Sequence, residues 1–588
     1  MKKRNLIFIA CITAMVLITG CNDEFLTREP EGSFSEGDVA TASGVEGLLI
    51  GAYNMVPGGG LTGQTWHNDI HAWVFNIASD DALKGTDAGD QPEQSFIEAY
   101  DYQAFNRHIR DKWRGLYKGV AAANNTINTL ALVEDIDAAR AAQIVAEARF
   151  LRGLFHMEAR KMWRMPTYIS DTDFVLSDLE STKVPNDREI WPLIEADFEA
   201  AAAALPATQG DVGRPTSWAA KAFLAKAKIY QGFDTSGAAN LAKMGEAKTV
   251  LDDIVNNGGF SLVPKFQDNF LVATRNNAES IFEVQYAISS ASGDAANRGI
   301  GLAHPYTDPW GCCGFYQASQ NLVNAYQTEG GLPLLDTFDD VDVSPDTNAD
   351  GSSVHTGTLD PRLDHSVGRP GILYKWDGAE SEKIYQTDFV RDITYAGPFF
   401  SMKHVAEKSG FGQGGWGNLS ANNYRIMRLG MIYLWLAEAE VELGNLERAR
   451  ELVNLIRARA SNPEGFVPSA TQGAERNDFT VNAGTPAANY EISQYNTPWT
   501  DQATARKAVR LETRLEFAME GHRIFDLQRW GIAAETLNAY IQSESQHRSY
   551  LVGKTFTAGK HEFFPIPLEA IDRSAVEGQP TLTQDPAY

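Results

Sequence analysis

The stretch RLEFAMEGHRIFDLQRWG, Arg514 to Gly531, carries the reading of the fold. Its charges alternate in sign through Arg514, Glu516, Glu520, Arg523, Asp526 and Arg529, along what reads as helix, turn and helix. Gly521 interrupts the first helix, and Phe517, Phe525 and Trp530 supply apolar anchors. Long arginine stems paired with carboxylates pin a helix against its neighbours. These residues are therefore expected to determine the fold rather than to touch a ligand.

Outward from that stretch the dominant period is helical. Ile432, Leu436, Ala439 and Leu443 form a stripe that stops at Gly444-Asn445, a helix-ending pair. The next helix repeats Ala449, Leu452, Val453 and Ile456, so the two predict an antiparallel helical hairpin. The same spacing recurs in Trp113, Leu116, Tyr117, Val120 and Ile127, in Ile144, Val145, Ala148, Leu151 and Phe155, in Trp218, Ala222, Ala225 and Ile229, and in Val250, Leu251 and Ile254. Small residues at Ala222, Ala225, Ala437 and Ala439 allow close packing, as in tetratricopeptide-like pairs, although no clean 34-residue repeat is visible. The expected fold class is mostly α: helical pairs forming a scaffold with a large irregular, loop-rich face.

Three long irregular stretches interrupt the helices, Gly58 to Gln94, about Ser289 to Gly417, and Ser461 to Thr500. They carry Trp66, Trp73, Trp310, Trp376, Trp416 and Trp499 among Gly, Asp, Asn and Pro. Loops of such length are uncommon unless functional, and rings on polar loops are expected to bury poorly. In HPYTDPWGCCGFY, His304 to Tyr316, the prolines and glycines exclude a regular helix. A helical scaffold that displays rings on loops, beside amide and carboxylate partners, is a binding architecture. The expected ligand-binding residues are thus Trp310, Tyr306, Tyr316 and Asp308, with Gln317 as a further partner, and Trp66, Trp73, Asn68 and Asp69 from the first loop.

The whole chain has 588 residues, 51 basic and 76 acidic, for a net charge of −25. Such an acidic chain repels phosphate backbones, so nucleic acid is not an expected partner. With 43% hydrophobic and 10% aromatic residues it can bury a large core, and its mean hydropathy of −0.29 leaves no room for a multi-span membrane protein.

Lys2, Lys3 and Arg4 precede an apolar run from Leu6 to Ile18, about 13 residues, which suits a signal-peptide core and is short for a span. LITGC, Leu17 to Cys21, resembles a bacterial lipobox, implying cleavage before Cys21 and lipid on its sulfur. Removing the segment takes three positive and no negative charges from −25, leaving −28. Asn22, Asp23 and Glu24 resemble the acidic export signal of surface lipoproteins in Bacteroidetes-type bacteria. Cys312 and Cys313 remain; adjacent cysteines join only in a strained ring, so two reduced or oddly bonded thiols are expected.

Catalytic motifs are missing: there is no GxSxG, HExxH or GxxxxGK[ST], and Gly410 to Gly417 follows no strand pattern that would make it a phosphate cradle. Asp346, Asn348 and Asp350 before Gly351 match the first half of a calcium loop, but its twelfth position is Gly357, which excludes an EF-hand and leaves calcium as a candidate structural ion only. No other cofactor is expected.

The 514–531 stretch closely resembles the R-x-x-E-x-x-x-E-G-x-R-x-x-D-L-x-R-W-G signature of the SusD/RagB family. NYRIMRLGMIYLWLAEAEVELGN (Asn423 to Asn445), LVNLIRARA (Leu452 to Ala460), DPRL (Asp360 to Leu363), FFPIPLEAI (Phe563 to Ile571), AEARFLRGLFH (Ala146 to His156) and GRPTSWAAKAFLAKAKIY (Gly213 to Tyr230) fit in the same order. Arg164-Met165-Pro166 departs from it, where the family often has a Gly two residues before the Pro. The resemblance implies residues 1–20 as lipoprotein signal peptide, 21–40 as lipid-anchored tether, 41–288 as an N-terminal SusD-like helical region and 289–588 as the C-terminal region with ligand loops, in one interlocked body. It implies an outer-membrane, surface-exposed lipoprotein that binds glycan and acts as lid on a SusC-like TonB-dependent transporter, without catalysis. An all-helical (α/α) hydrolase or lyase would share helical pairs and aromatic loops but should show acid and base motifs. A tetratricopeptide assembly scaffold should show a clean repeat.

Overall fold

The computed structural model describes residues 39–588 apart from 59–68, 72, 289–295, 349–350, 379–380, 382, 414–417 and 476. The signal peptide, Cys21, the acidic tether, Trp66, Asn68, Asp350 and Trp416 lie outside the described residues.

Helices α1 (Ala42–Tyr53), α2 (Arg107–Leu130), α3 (Ala138–Met162), α4 (Trp191–Ala204), α5 (Ser217–Ile229) and α6 (Leu241–Asn257) follow one another as antiparallel neighbours. Their starts are set locally: Asn106, Asp137 and Thr216 accept hydrogen bonds from free N–H groups of the first turn of α2, α3 and α5. Helix α6 packs on α7 (Leu429–Glu442), α7 on α8 (Leu446–Ala460), and both on α9 (Gln502–Phe517). Gly444, at φ +83°, ends α7 in the left-handed conformation and turns the chain into α8, as the Gly-Asn pair predicts. The alanines at 222, 225, 437 and 439 are fully buried where α5 and α7 meet their neighbours. Two further helices, α10 (Arg523–Arg529) and α11 (Ala533–Glu544), follow the turn at Gly521. A Cβ there would collide with the carbonyl of His71, and φ is +84°.

Among the described residues every sheet has two strands. Pairs that tie distant segments are β1 (Ala82–Gly85) with β3 (Phe315–Ala318), and β2 (Ser280–Val284) with β4 (Tyr424–Arg428), all antiparallel. The third irregular stretch contains a hairpin of β5 (Pro468–Gln472) and β6 (Phe479–Pro486). One large apolar cluster runs from Val45 to Leu582, and two smaller clusters lie under the loops.

The alternating charges of 514–531 close a buried ionic lattice. Arg428 bonds Glu516, Glu520 and Glu279; Arg459 also reaches Glu516 and Glu279; Arg362 reaches Asp360, Glu512 and Glu516. Arg514 pairs with Asp81, Arg523 with Asp80, and Arg529 with Glu438 and Asp526. Burial pushes the Glu516 carboxyl up, but the guanidiniums of Arg459, Arg428 and Arg362 outweigh it and hold the group well below the usual carboxylate range. The motif therefore binds strands and helices from four parts of the chain to one another, the structural role its chemistry predicts.

Candidate functional site

The loop His304–Tyr316 is fixed at both ends by pairing. Its C-terminal end enters β3, whose Phe315 pairs with Gly85 of β1, and the Tyr306 amide donates to Phe389 O at 2.7 Å. Between these points the loop rings divide into two sets.

One set is buried. Trp310 is 1% exposed and packs with Tyr374, Phe389, Phe400, Met402 and Val405. Its ring meets Tyr374 edge-on at 5.3 Å. Tyr316 is fully buried, its hydroxyl accepting from Asn76 Nδ2 at 2.9 Å. Trp73 is fully buried on a short helical turn and donates Nε1–H to Gly299 O at 2.7 Å. Asp69 is buried, accepts the His71 amide at 2.6 Å, and is pushed up to about 6 by burial. Gln317 is buried and donates to the carbonyls of Gly397 and Phe399. This corrects the expectation for Trp310, Tyr316, Trp73 and Asp69: none presents a surface to a ligand here. The reason is that Trp73 and Tyr316 join the main apolar cluster while Trp310 packs in a smaller one formed between loops, so rings on polar loops do find a core. Trp376 is buried in the same way in the third cluster.

The other set is open. Tyr306 is 44% exposed and Asp308 is exposed beside it. The Arg391 guanidinium lies 5.5 Å from the Tyr306 ring centre. Arg391 is held by Asp87 at 2.9 Å and Asp90 at 2.8 Å, and donates to Thr86 Oγ1 at 3.2 Å. A half-exposed ring, a fixed guanidinium and partly exposed carboxylates thus share one patch. Such a patch can take a pyranose C–H face on Tyr306 and its hydroxyls on Arg391, Asp87 and Asp90. Sequence reading missed Arg391, Asp87 and Asp90. No local pattern marks them, because Arg391 and Asp90 lie 301 residues apart.

Cys312 and Cys313 are joined by a disulfide between neighbouring residues, the odd bonding that the sequence leaves open beside two free thiols. The Cys312 carbonyl accepts from Asn418 Nδ2 at 2.6 Å, linking this loop to the segment after 417. Asp346 and Asn348 are exposed in a tight turn where the Asn348 side-chain Nδ2 donates to Ser352 Oγ at 3.0 Å. Among the described residues no group of three or more His, Cys, Asp or Glu side chains is placed to hold a metal. None of the described helices is long and apolar enough to cross a membrane.

Comparison with known proteins adds the following. A family model described as "SusD family" matches residues 278–588, and one described as "Starch-binding associating with outer membrane" matches residues 61–230. A SusD-like protein of Bacteroides ovatus is 26% identical over 347 residues, which is 57% of this chain and 60% of that relative, so the match spans less than two thirds of its length. SusD-like protein P25 of Formosa agariphila is 22% identical over 586 residues, covering 96% of this chain and 97% of that relative. Among solved structures, surface glycan-binding protein A from Bacteroides thetaiotaomicron in complex with laminarihexaose aligns with a TM-score of 0.62 at 18% identity, over 93% of this chain and 100% of that one. The likeness extends the mostly helical fold over nearly the whole chain.

Proposed function

The chain belongs to the SusD family, and from that premise we propose that it captures oligo- or polysaccharide at the cell surface and delivers it to a SusC-like TonB-dependent transporter, for which it acts as lid. The observation that carries the reading is the Tyr306–Arg391 patch, an exposed ring beside a guanidinium fixed at 5.5 Å on a loop face that the helical scaffold holds in place. Relatives described as glycan-binding, one of them in complex with laminarihexaose, support carbohydrate as the ligand class. The family-model description "associating with outer membrane" supports the location, with lipid on Cys21 as anchor.

Binding without cleavage is the expected chemistry. Native gels cast with laminarin, starch or another neutral polysaccharide test it on the purified mature chain. Retarded migration in at least one gel, with no new reducing ends after incubation, supports capture. Release of reducing ends would move the protein into the hydrolase or lyase class. For the transporter, isolation from detergent-solubilised outer membrane should bring down a large β-barrel, since a lid needs a broad interface. Repeated recovery as a lone monomer would contradict that part.

A further inference from the structure

We propose that a second cavity, separate from the Tyr306 patch, receives a sugar residue bearing a carboxylate, with Arg510 as its anion-binding group. The cavity measures about 530 Å³, lies between α9, α11 and the loop at Leu335–Asp339, and shares no lining residue with the Tyr306 patch. Its size falls in the ~300–1,000 Å³ range of small-molecule sites. It stands or falls independently of the loop-face reading.

The cationic wall of the cavity is almost fully committed. Arg514 pairs with Asp81 and donates to Asn321 Oδ1, Arg523 pairs with Asp80, and Lys507 pairs with Asp336. Arg510 is different. Its guanidinium is held over the rings of Trp530 and Phe233, 5.0 and 5.2 Å from their centres. Among the described residues no carboxylate, amide or carbonyl accepts from it, and its buried Nε has no partner. Burial lowers Arg510 to about 10, and the nearby charges of Glu438 and Glu442 offset that only in part. A guanidinium positioned by two aromatic faces, short of an acceptor, and opening on a cavity is a site for an oxyanion.

The remaining lining chooses among oxyanions. Tyr540, 5% exposed, has a hydroxyl without a partner. Asp336, Asp339 and Glu535 add carboxylate oxygens to the same wall. These groups accept hydrogen bonds from hydroxyls and repel a second negative charge. The ligand must bring one anionic group and several hydroxyls on a compact frame, which describes a uronic acid residue. Inorganic sulfate satisfies only the guanidinium, and an acidic peptide brings repeated charge without hydroxyls.

Isothermal titration of the mature chain with sodium galacturonate, maltotriose, sodium sulfate and a short polyglutamate peptide tests the assignment. Galacturonate, which brings one carboxylate and several hydroxyls, should bind more tightly than sulfate or polyglutamate. Arg510→Gln should weaken it at least tenfold. Tyr540→Phe should weaken it severalfold and provides the answer if Arg510→Gln fails to fold. No galacturonate binding, equal affinity in the variants, maltotriose competing for the same site, or sulfate or polyglutamate binding as tightly would each overturn the proposal.

Discussion

Arg428 and Glu516 meet at 2.6 Å with neither side chain exposed to solvent, and each is shared with further buried partners. One carboxylate thereby joins β4, α8, α9 and the Asp360–Leu363 segment. Removing a single charge from such a lattice leaves the opposite charges buried and uncompensated, at a cost of about 3–5 kcal/mol. Glu516→Gln is expected to lose stability of that order in urea denaturation, with glycan affinity unchanged under conditions where the variant is folded.

The same carboxylate sets an acid limb. Its folded-state pKa lies well below the ordinary 4.5, so its stabilisation is complete above about pH 4.5 and is lost as pH falls toward the folded value. The urea midpoint of the parent should therefore drop between about pH 4.5 and pH 3, and Glu516→Gln should show a shallower drop across that window. Parallel curves would show that other carboxylates govern acid unfolding.

Trp310 packs against Tyr374, Phe389 and Phe400 and is closed to solvent. Trp310→Ala is expected to cost about 3–5 kcal/mol by emptying that cluster. A variant that melts like the parent yet binds glycan weakly would restore Trp310 as a binding surface.

How far the sequence could be read follows from where each interaction partner lies. The helical pairs were legible because their determinants are local: the Leu436–Leu443 stripe and the Gly444 turn sit within a few residues of what they control. The motif at 514–531 showed its charges but not their partners; Arg514 reaches Asp81 across 433 residues. The loops were least legible. Whether Trp310 or Tyr306 faces solvent depends on segments near 374, 389 and 402 folding over the first and not the second, and no periodicity records that.

Cys21 lies in LITGC, and lipid on its sulfur is the proposed anchor. Cys21→Ala should move the protein from the membrane to the soluble fraction when it is expressed without the transporter. Persistent membrane association of that variant would contradict lipid anchoring.

The most direct test of the central claim is calorimetric titration of Tyr306→Ala beside the parent, using the polysaccharide that most retards the parent in native gels. The ring is 44% exposed and contributes little to packing, so the melting temperature should hold. Loss of a stacking contact of ~1.4 kcal/mol should weaken binding about tenfold. Unchanged affinity in Tyr306→Ala, measured on a protein as stable as the parent, would contradict the placement of the glycan on this patch.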